Sequence, residues 1–112
     1  MILAALLLTC TPQVYDGDSF RLCRERIRIS DIDTPELRAR CPAERRLAIQ
    51  ARDRLSQLLR EPFRLERSGR ARDRYGRHLR VVVRQRDGRS VGDVLVREGL
   101  ARTWSGRREP WC

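Results

Sequence analysis

The chain has 112 residues, a formal net charge of +10 at pH 7 and a pI of about 11.2. This length corresponds to one domain with barely two layers of secondary structure. All 25 basic residues are arginines, which codon bias largely explains. The net charge itself predicts a polyanionic partner, because guanidinium groups bind phosphates bidentately and a positive field steers polyanions.

The first ten residues, MILAALLLTC, are predicted to be either a signal peptide or a first-strand segment. The apolar run from Ile2 to Leu8 is too short to span a bilayer, so we expect no stable membrane span. It fits the hydrophobic part of a signal peptide, although no arginine precedes it and no A-x-A site follows. Lipid attachment at Cys10 is a further alternative that Thr9 fits poorly. Residues 11–112 are predicted to form a single domain.

Three short strands are predicted next. Val14 and Tyr15 lead into the Asp16-Gly17 pair, which is a strong hairpin signal. Apolar and polar residues then alternate over residues 20–23 and, after a turn near residues 24–25, over residues 26–29. Period two places the isoleucines of the third strand on one face and its arginines on the other.

A helix is predicted after the segment SDIDTPE, in which Pro35 breaks the strand. Pro42 suits the first helical position and Pro62 closes the helix. Its apolar residues recur at three- and four-residue steps and form one stripe: Ala43, Leu47, Ala48, Ala51, Leu55, Leu58 and Leu59.

The second half is predicted to contain strands at residues 63–67 and 78–84 and a short helix between Ser90, as its N-cap, and Gly99, as its C-terminal cap. The order β-β-β-α-β-β-α predicts a mainly β, α+β fold. We expect a small five-stranded OB-fold-like barrel with two to three appended helices, an architecture that favours nucleic acid as a partner.

Three charged clusters lie outside the predicted core, and each alone is an ordinary turn or loop. Together they supply the groups for metal-assisted cleavage of a phosphodiester. A hard cation prefers oxygen ligands, which Asp18 and Asp33 can provide. Glu36 is placed to activate or orient a water nucleophile. Arg28 and Arg77 can clamp the phosphate as negative charge develops in the transition state.

Four segments carry a resemblance to a known family: VYDGDSFRL, RIRISDIDTPE, DRYGRHL and VGDVLVREGLA. In this order and at these separations they resemble the staphylococcal nuclease (thermonuclease) family, over residues 14–102. The resemblance implies an OB-fold barrel with helices and calcium-dependent cleavage of DNA and RNA to products that carry a 3′-phosphate.

The resemblance also implies a Ca²⁺ site. Asp18 and Asp33 match the two carboxylate ligands of the family, and Thr34 matches the residue that gives a backbone carbonyl to the metal. Asp16 matches a nearby acidic position that acts through water, behind the direct ligands.

Catalytic roles follow in the same way. Glu36 matches the carboxylate that activates the attacking water, while Arg28 and Arg77 match the two phosphate-binding arginines. Arg74 stands where the family usually has a lysine, and with Tyr75 it is assigned to substrate binding. Tyr75 can stack near the phosphate, but hairpin packing accounts for it equally well.

Two tryptophans, Trp104 and Trp111, lie past the last predicted helix, where the family has nucleotide-stacking tyrosines. They are candidates for the same role. For Trp111 we favour packing of the C terminus against the barrel.

The four cysteines, Cys10, Cys23, Cys41 and Cys112, form no C-x-x-C pair, which argues against a zinc site. An even number in a short chain is typical of an oxidising compartment. Three pairings are open. If Asp16-Gly17 is the hairpin centre, Cys10 and Cys23 lie nearly opposite each other, which leaves Cys41 to pair with Cys112. Cleavage or lipidation at Cys10 would change that pairing.

The leading hypothesis is a monomeric, calcium-dependent nuclease that is secreted or located in the periplasm or cell envelope, with a cytoplasmic location as the alternative. A non-catalytic nucleic-acid-binding OB-fold module is the second hypothesis, and it rests on charge alone. The third is a small exported domain in which the acidic site holds calcium for stability.

Overall fold

The computed structural model describes residues 10–112, so the predicted signal peptide or first strand lies almost entirely outside the described residues. The described elements are β1 (Gln13–Asp16), β2 (Ser19–Leu22), β3 (Glu25–Ile29), β4 (Ile32–Asp33), α1 (Pro42–Leu58), β5 (Phe63–Glu66), β6 (His78–Arg84), α2 (Val91–Arg97) and β7 (Arg102–Thr103).

Five of these strands form one mixed sheet in the order β1-β2-β3-β6-β5. β3 and β6 pair in parallel, and the other neighbours pair antiparallel. The mainly β, α+β fold with a five-stranded sheet and two helices is therefore confirmed. Helix α1 begins at Pro42 as predicted, and the Ser90 hydroxyl caps α2 by accepting a hydrogen bond from the Asp93 amide at 2.8 Å.

The core lies between the sheet and the two helices. Phe20 and Ile29 of the sheet, Leu55 of α1 and Leu95 of α2 are all fully buried. The two-residue alternation on the strands and the three- and four-residue spacing on α1 place these side chains in the same interior. Their packing holds the β1–β2 hairpin, β4 and α1 in a fixed relation, and Asp18 and Asp33 lie on these elements.

The β1–β2 turn differs from the prediction by one residue. Asp16 pairs with Ser19 across the hairpin, so the turn consists of Gly17 and Asp18. A Cβ atom on Gly17 would lie 2.8 Å from the Ala51 Cβ and 3.0 Å from the Thr34 Cγ2. Glycine is therefore required by close approach to α1 and to the loop after β4. The contact also presses the acidic turn against Thr34.

A second, two-stranded sheet was not predicted. β4 pairs with β7 through Ile32 with Thr103 and Asp33 with Arg102. Two-residue strands carry no detectable periodicity, and the following proline marks this segment as a loop. The pairing matters because it brings the last ten residues of the chain beside Asp33.

Both expected disulfides are present. Cys10 bonds to Cys23 with a Cα–Cα distance of 5.2 Å, and Cys41 bonds to Cys112 with a Cα–Cα distance of 6.1 Å. The second bridge ties the end of the chain to the N-cap of α1. Within residues 10–112, neither helix has the length and apolar character that crossing a membrane requires.

Candidate active site

Two buried aspartates form the acidic centre of the site. Asp18 lies in the β1–β2 turn and is 6% exposed, while Asp33 lies on β4 and is 3% exposed. The Asp18 carbonyl accepts a hydrogen bond of 2.8 Å from the Ile29 amide, which fixes the turn against the end of β3. The structure thus brings together the two carboxylates that the sequence assigns to a metal, although they are 15 positions apart.

Burial dominates the electrostatics of Asp18. The pKa of its carboxyl is raised from 3.8 to about 7. Desolvation is the largest cause, the nearby Arg28 opposes it, and the negative charges of Asp16 and Asp33 add to the rise. The Arg28 Nη2 lies 3.5 Å from the Asp18 Oδ2, which is too long for a strong charge-assisted hydrogen bond. The site therefore holds negative charge that its own arginine does not fully compensate.

Asp33, Thr34 and Glu36 point oxygen atoms at a single cationic group. The Arg108 guanidinium lies 2.8 Å from the Asp33 Oδ1 and 3.4 Å from the Glu36 Oε1, and it donates a hydrogen bond of 3.2 Å to the Thr34 carbonyl. The Asp33 Oδ1 is fully buried and makes no hydrogen bond, because its contact with Arg108 is close but poorly aligned. Three predicted site residues therefore converge on one cation position.

Asp16 supports the turn. Its Oδ1 accepts hydrogen bonds from the Ser19 hydroxyl at 2.6 Å and from the Asp18 amide at 3.3 Å. Within residues 10–112, the carboxylates of Asp16, Asp18 and Asp33 do not all lie within 4.8 Å of one another. What the structure shows for Asp16 is therefore a contact with the turn, through its hydrogen bonds with Ser19 and Asp18.

Arg28 lies at the edge of the acidic centre. Its Nη1 donates to the Ile29 carbonyl and, at 3.1 Å, to the Ile32 carbonyl. Its guanidinium carbon lies 5.7 Å from the centroid of the Trp104 ring. These contacts orient the guanidinium beside Asp18, with an exposed aromatic face next to it.

Arg77 belongs to a separate group in the loop before β6. Its Nε donates a hydrogen bond of 2.8 Å to the Asp73 Oδ2, and its amide donates one of 2.9 Å to the Asp73 Oδ1. Its guanidinium also faces the Tyr75 ring, as does that of Arg74, at 5.8 and 5.1 Å. Arg26, on β3, donates a hydrogen bond of 2.6 Å to the Tyr75 carbonyl and so links this loop to the strand that carries Arg28.

Arg108 was not predicted as part of the site, and Trp111, which was expected to pack the C terminus against the barrel, also reaches the acidic centre. Arg108 contacts the acidic group directly, and the Trp111 Nε1 donates a hydrogen bond of 3.4 Å to the Asp33 Oδ2. Trp111 also stacks under Arg102, 3.8 Å from its guanidinium carbon. The expected Cys41–Cys112 bridge was the available signal, because it draws the last residues toward the loop after Glu36.

The family model described as staphylococcal nuclease homologue matches residues 26–110. The chain belongs to this family. Of the assigned residues, the staphylococcal nuclease match includes Arg28, Asp33, Thr34, Glu36, Arg74, Tyr75 and Arg77. It begins after the turn that carries Asp16 and Asp18, whose assignment rests on the geometry and on the resemblance of the sequence.

One curated relative of this staphylococcal nuclease homologue is the succinoglycan biosynthesis protein ExoI of Rhizobium meliloti (strain 1021). The two are 34% identical over 116 residues, in an alignment that covers 89% of this chain and 59% of the relative. The chain therefore spans about three fifths of the length of that protein.

Proposed function

We propose that the protein is a calcium-dependent nuclease that hydrolyses phosphodiester bonds of DNA, RNA or both. The observation that carries this proposal is the convergence of oxygens from Asp33, Thr34 and Glu36 on one cation position, beside the buried Asp18. Family membership supports a nuclease-type activity, and the net charge of +10 suits a polyanionic substrate.

The donor set fits a hard divalent cation. The ligands are the carboxylates of Asp18 and Asp33 and the carbonyl of Thr34, all oxygen atoms. The Asp33 Oδ1 already contacts one cationic group, Arg108, at 2.8 Å, and the raised pKa of Asp18 shows that its ionised form lacks compensation, which a bound cation would supply. When bound, Ca²⁺ supplies Lewis-acid stabilisation of the phosphate oxygens.

Glu36 serves as the general base in this proposal. Its side chain is 56% exposed, so water can reach it. Its backbone amide donates a hydrogen bond of 3.0 Å to the Glu44 Oε2, which anchors the residue to α1. Its carboxylate makes only a long contact of 3.4 Å with Arg108, and it orients the water molecule once Arg108 has moved away. Asp16 holds the β1–β2 turn in shape behind the ligands.

Arg28 and Arg77 stabilise the charge that develops on the phosphate. Arg28 is positioned next to Asp18, and Trp104 beside it offers a face on which a base can stack. The Arg77 Nε donates to Asp73, and its guanidinium faces the Tyr75 ring. From this position in the loop before β6, Arg77 donates to the phosphate of the substrate. Arg74 and Tyr75 extend this loop as a substrate-binding surface.

The test compares cleavage of single-stranded DNA and RNA in calcium and in EDTA, for the wild type and for Glu36→Gln. We expect calcium-dependent cleavage that falls by two or more orders of magnitude in Glu36→Gln, as for loss of a general base. Glu66→Gln is the matched control, because Glu66 is an exposed glutamate on β5 that pairs with Arg64. Equal rates for Glu36→Gln and the wild type would rule out this role.

The alternative is a non-catalytic nucleic-acid-binding module, favoured by the charge of the chain. Binding of DNA without cleavage, in calcium and in EDTA alike, would support it. Calcium binding with neither cleavage nor DNA binding would instead indicate a structural calcium site.

The two disulfides support action in an oxidising compartment, either outside the cell or in the periplasm, and we propose that the protein works there as a monomer. To test the location, free thiols in the extracellular and periplasmic fractions are blocked with an alkylating agent and the native protein is isolated. We expect both disulfides to be intact in the protein from one of these fractions. Recovery of the native chain only from cytoplasm, with free thiols, would contradict it.

A further inference from the structure

We propose that residues 105–112 form an autoinhibitory strap in which the Arg108 guanidinium occupies the cation position and competes with calcium. The identity of the metal rests on the function proposed above. The strap itself is an observed feature of this chain: it contacts Thr34 and Asp33 through Arg108 and Trp111.

The competition follows from shared oxygen atoms. Arg108 lies 2.8 Å from the Asp33 Oδ1, 3.4 Å from the Glu36 Oε1 and 3.2 Å from the Thr34 carbonyl oxygen. Calcium binds its oxygen ligands at 2.3–2.6 Å. A calcium ion on the Asp33 and Thr34 oxygens would therefore overlap the guanidinium and repel its charge. Binding of the metal requires Arg108 to leave.

The strap is anchored at both ends. At its start, the β4–β7 pairing places Arg102 opposite Asp33. At its end, the Cys41–Cys112 disulfide fixes the chain to the beginning of α1. Between these anchors, the Arg102 Nη1 of β7 donates to the Pro110 carbonyl of the strap at 2.9 Å, and Trp111 reaches Asp33. Two anchors keep the local concentration of the guanidinium high at the acidic centre.

The Arg108 side chain remains 45% exposed, so it can leave the site for solvent without rearrangement of the core. Asp33, by contrast, is buried and fixed on β4. Because Arg108 is partly exposed and Asp33 is buried, another cation can replace Arg108 at Asp33. The strap thus sets a threshold of calcium concentration below which the site stays closed.

The experiment measures the calcium dissociation constant by titration calorimetry on the full chain. We expect Arg108→Gln to lower the calcium Kd by about tenfold. The expected change is no larger because the ion pair of Arg108 with Asp33 is partly exposed to solvent, which weakens it. Arg107→Gln is the control for loss of one charge on the strap, because Arg107 is 81% exposed and pairs with Glu109. Its Kd should stay within about twofold of the wild type.

The tether is tested with the double variant Cys41→Ser/Cys112→Ser. We expect a lower calcium Kd here too, and no further decrease when Arg108→Gln is added, because both changes act on the same competitor. Cys10→Ser/Cys23→Ser is the control for loss of a disulfide elsewhere. If the cysteine variants do not fold, Arg108→Gln decides alone, since it keeps both bridges.

The outcomes separate the two proposals. Equal Kd values for the wild type and Arg108→Gln would overturn the strap and leave the calcium site standing. Slower cleavage by Arg108→Gln at saturating calcium, with an unchanged Kd, would also overturn it and assign Arg108 to phosphate binding. An absence of calcium binding and of cleavage in both proteins would overturn the proposed function together with the strap.

Discussion

The carboxyl of Asp18 should make the calcium-free protein less stable as pH rises. Burial raises its pKa to about 7 in the folded protein, whereas in the unfolded chain the value is near 4. Between these two values the folded state binds one proton more than the unfolded state. The free energy of unfolding therefore falls with increasing pH over this window, which is the reverse of the usual behaviour of paired carboxylates.

The size of the effect follows from the shift. About three pKa units at 1.36 kcal/mol each give a loss on the order of 4 kcal/mol between pH 4 and pH 7. The slope is about 1.4 kcal/mol per pH unit within the window, which is a large part of the stability of a small domain. Calcium should remove the loss at neutral pH, because the cation compensates the ionised carboxylate.

The assay is urea unfolding from pH 4.5 to 7.5 in EDTA, with wild type, Asp18→Asn and Asp53→Asn. Asparagine cannot ionise, so Asp18→Asn should lack the slope and exceed the wild type in stability at pH 7.5. Asp53, an exposed residue of α1, serves as the control, and its variant should keep the slope. A slope of equal size in wild type and Asp18→Asn would refute the assignment of the effect to this buried carboxyl.

Two further variants test the supports of the site. Gly17→Ala should lower the free energy of unfolding by about 1–3 kcal/mol and weaken calcium binding, because the added Cβ would lie 2.8 Å from the Ala51 Cβ. Denaturant titration measures the stability, and an unchanged value would contradict this prediction. Asp73→Asn should slow cleavage by about tenfold with an unchanged calcium Kd, because Asp73 orients Arg77 but does not face the metal; steady-state kinetics that match the wild type would show that Arg77 needs no such support.

Most of the fold could be predicted from local patterns in the sequence. The strand at His78–Arg84 and the start of α1 at Pro42 have the bounds that alternation and proline placement predict. Such features depend on residues within a few positions of one another, where steric rules act directly. Asp18 lies in the turn after β1 and Asp33 lies on β4, and both are buried. Their assignment as partners came from the order of short motifs along the chain and stays a prediction.

The contacts that escaped prediction depend on distant parts of the chain. The hairpin turn at Gly17 and Asp18 packs against Ala51, which lies more than thirty positions away, and no local pattern shows this contact. The strands β4 and β7 are too short to show a two-residue alternation in the sequence. The position of Arg108 depends on the pairing of these strands and on the Cys41–Cys112 disulfide. In a chain with 25 arginines, no local property distinguishes Arg108 from the others.

The two carboxylates that we propose as metal ligands each face an arginine in this structure: Asp18 faces Arg28, and Asp33 faces Arg108. A cation that binds between the carboxylates would replace both partners at once. The displaced guanidinium groups would then be free to bind anions at the moment when the metal is in place. Because coupling between two ligands is reciprocal, a phosphate that recruits these arginines would in turn favour the metal. If the proposed function holds, the acidic centre of this basic chain does more than bind a metal, because its ion pairs would keep the phosphate-binding arginines occupied until calcium binds.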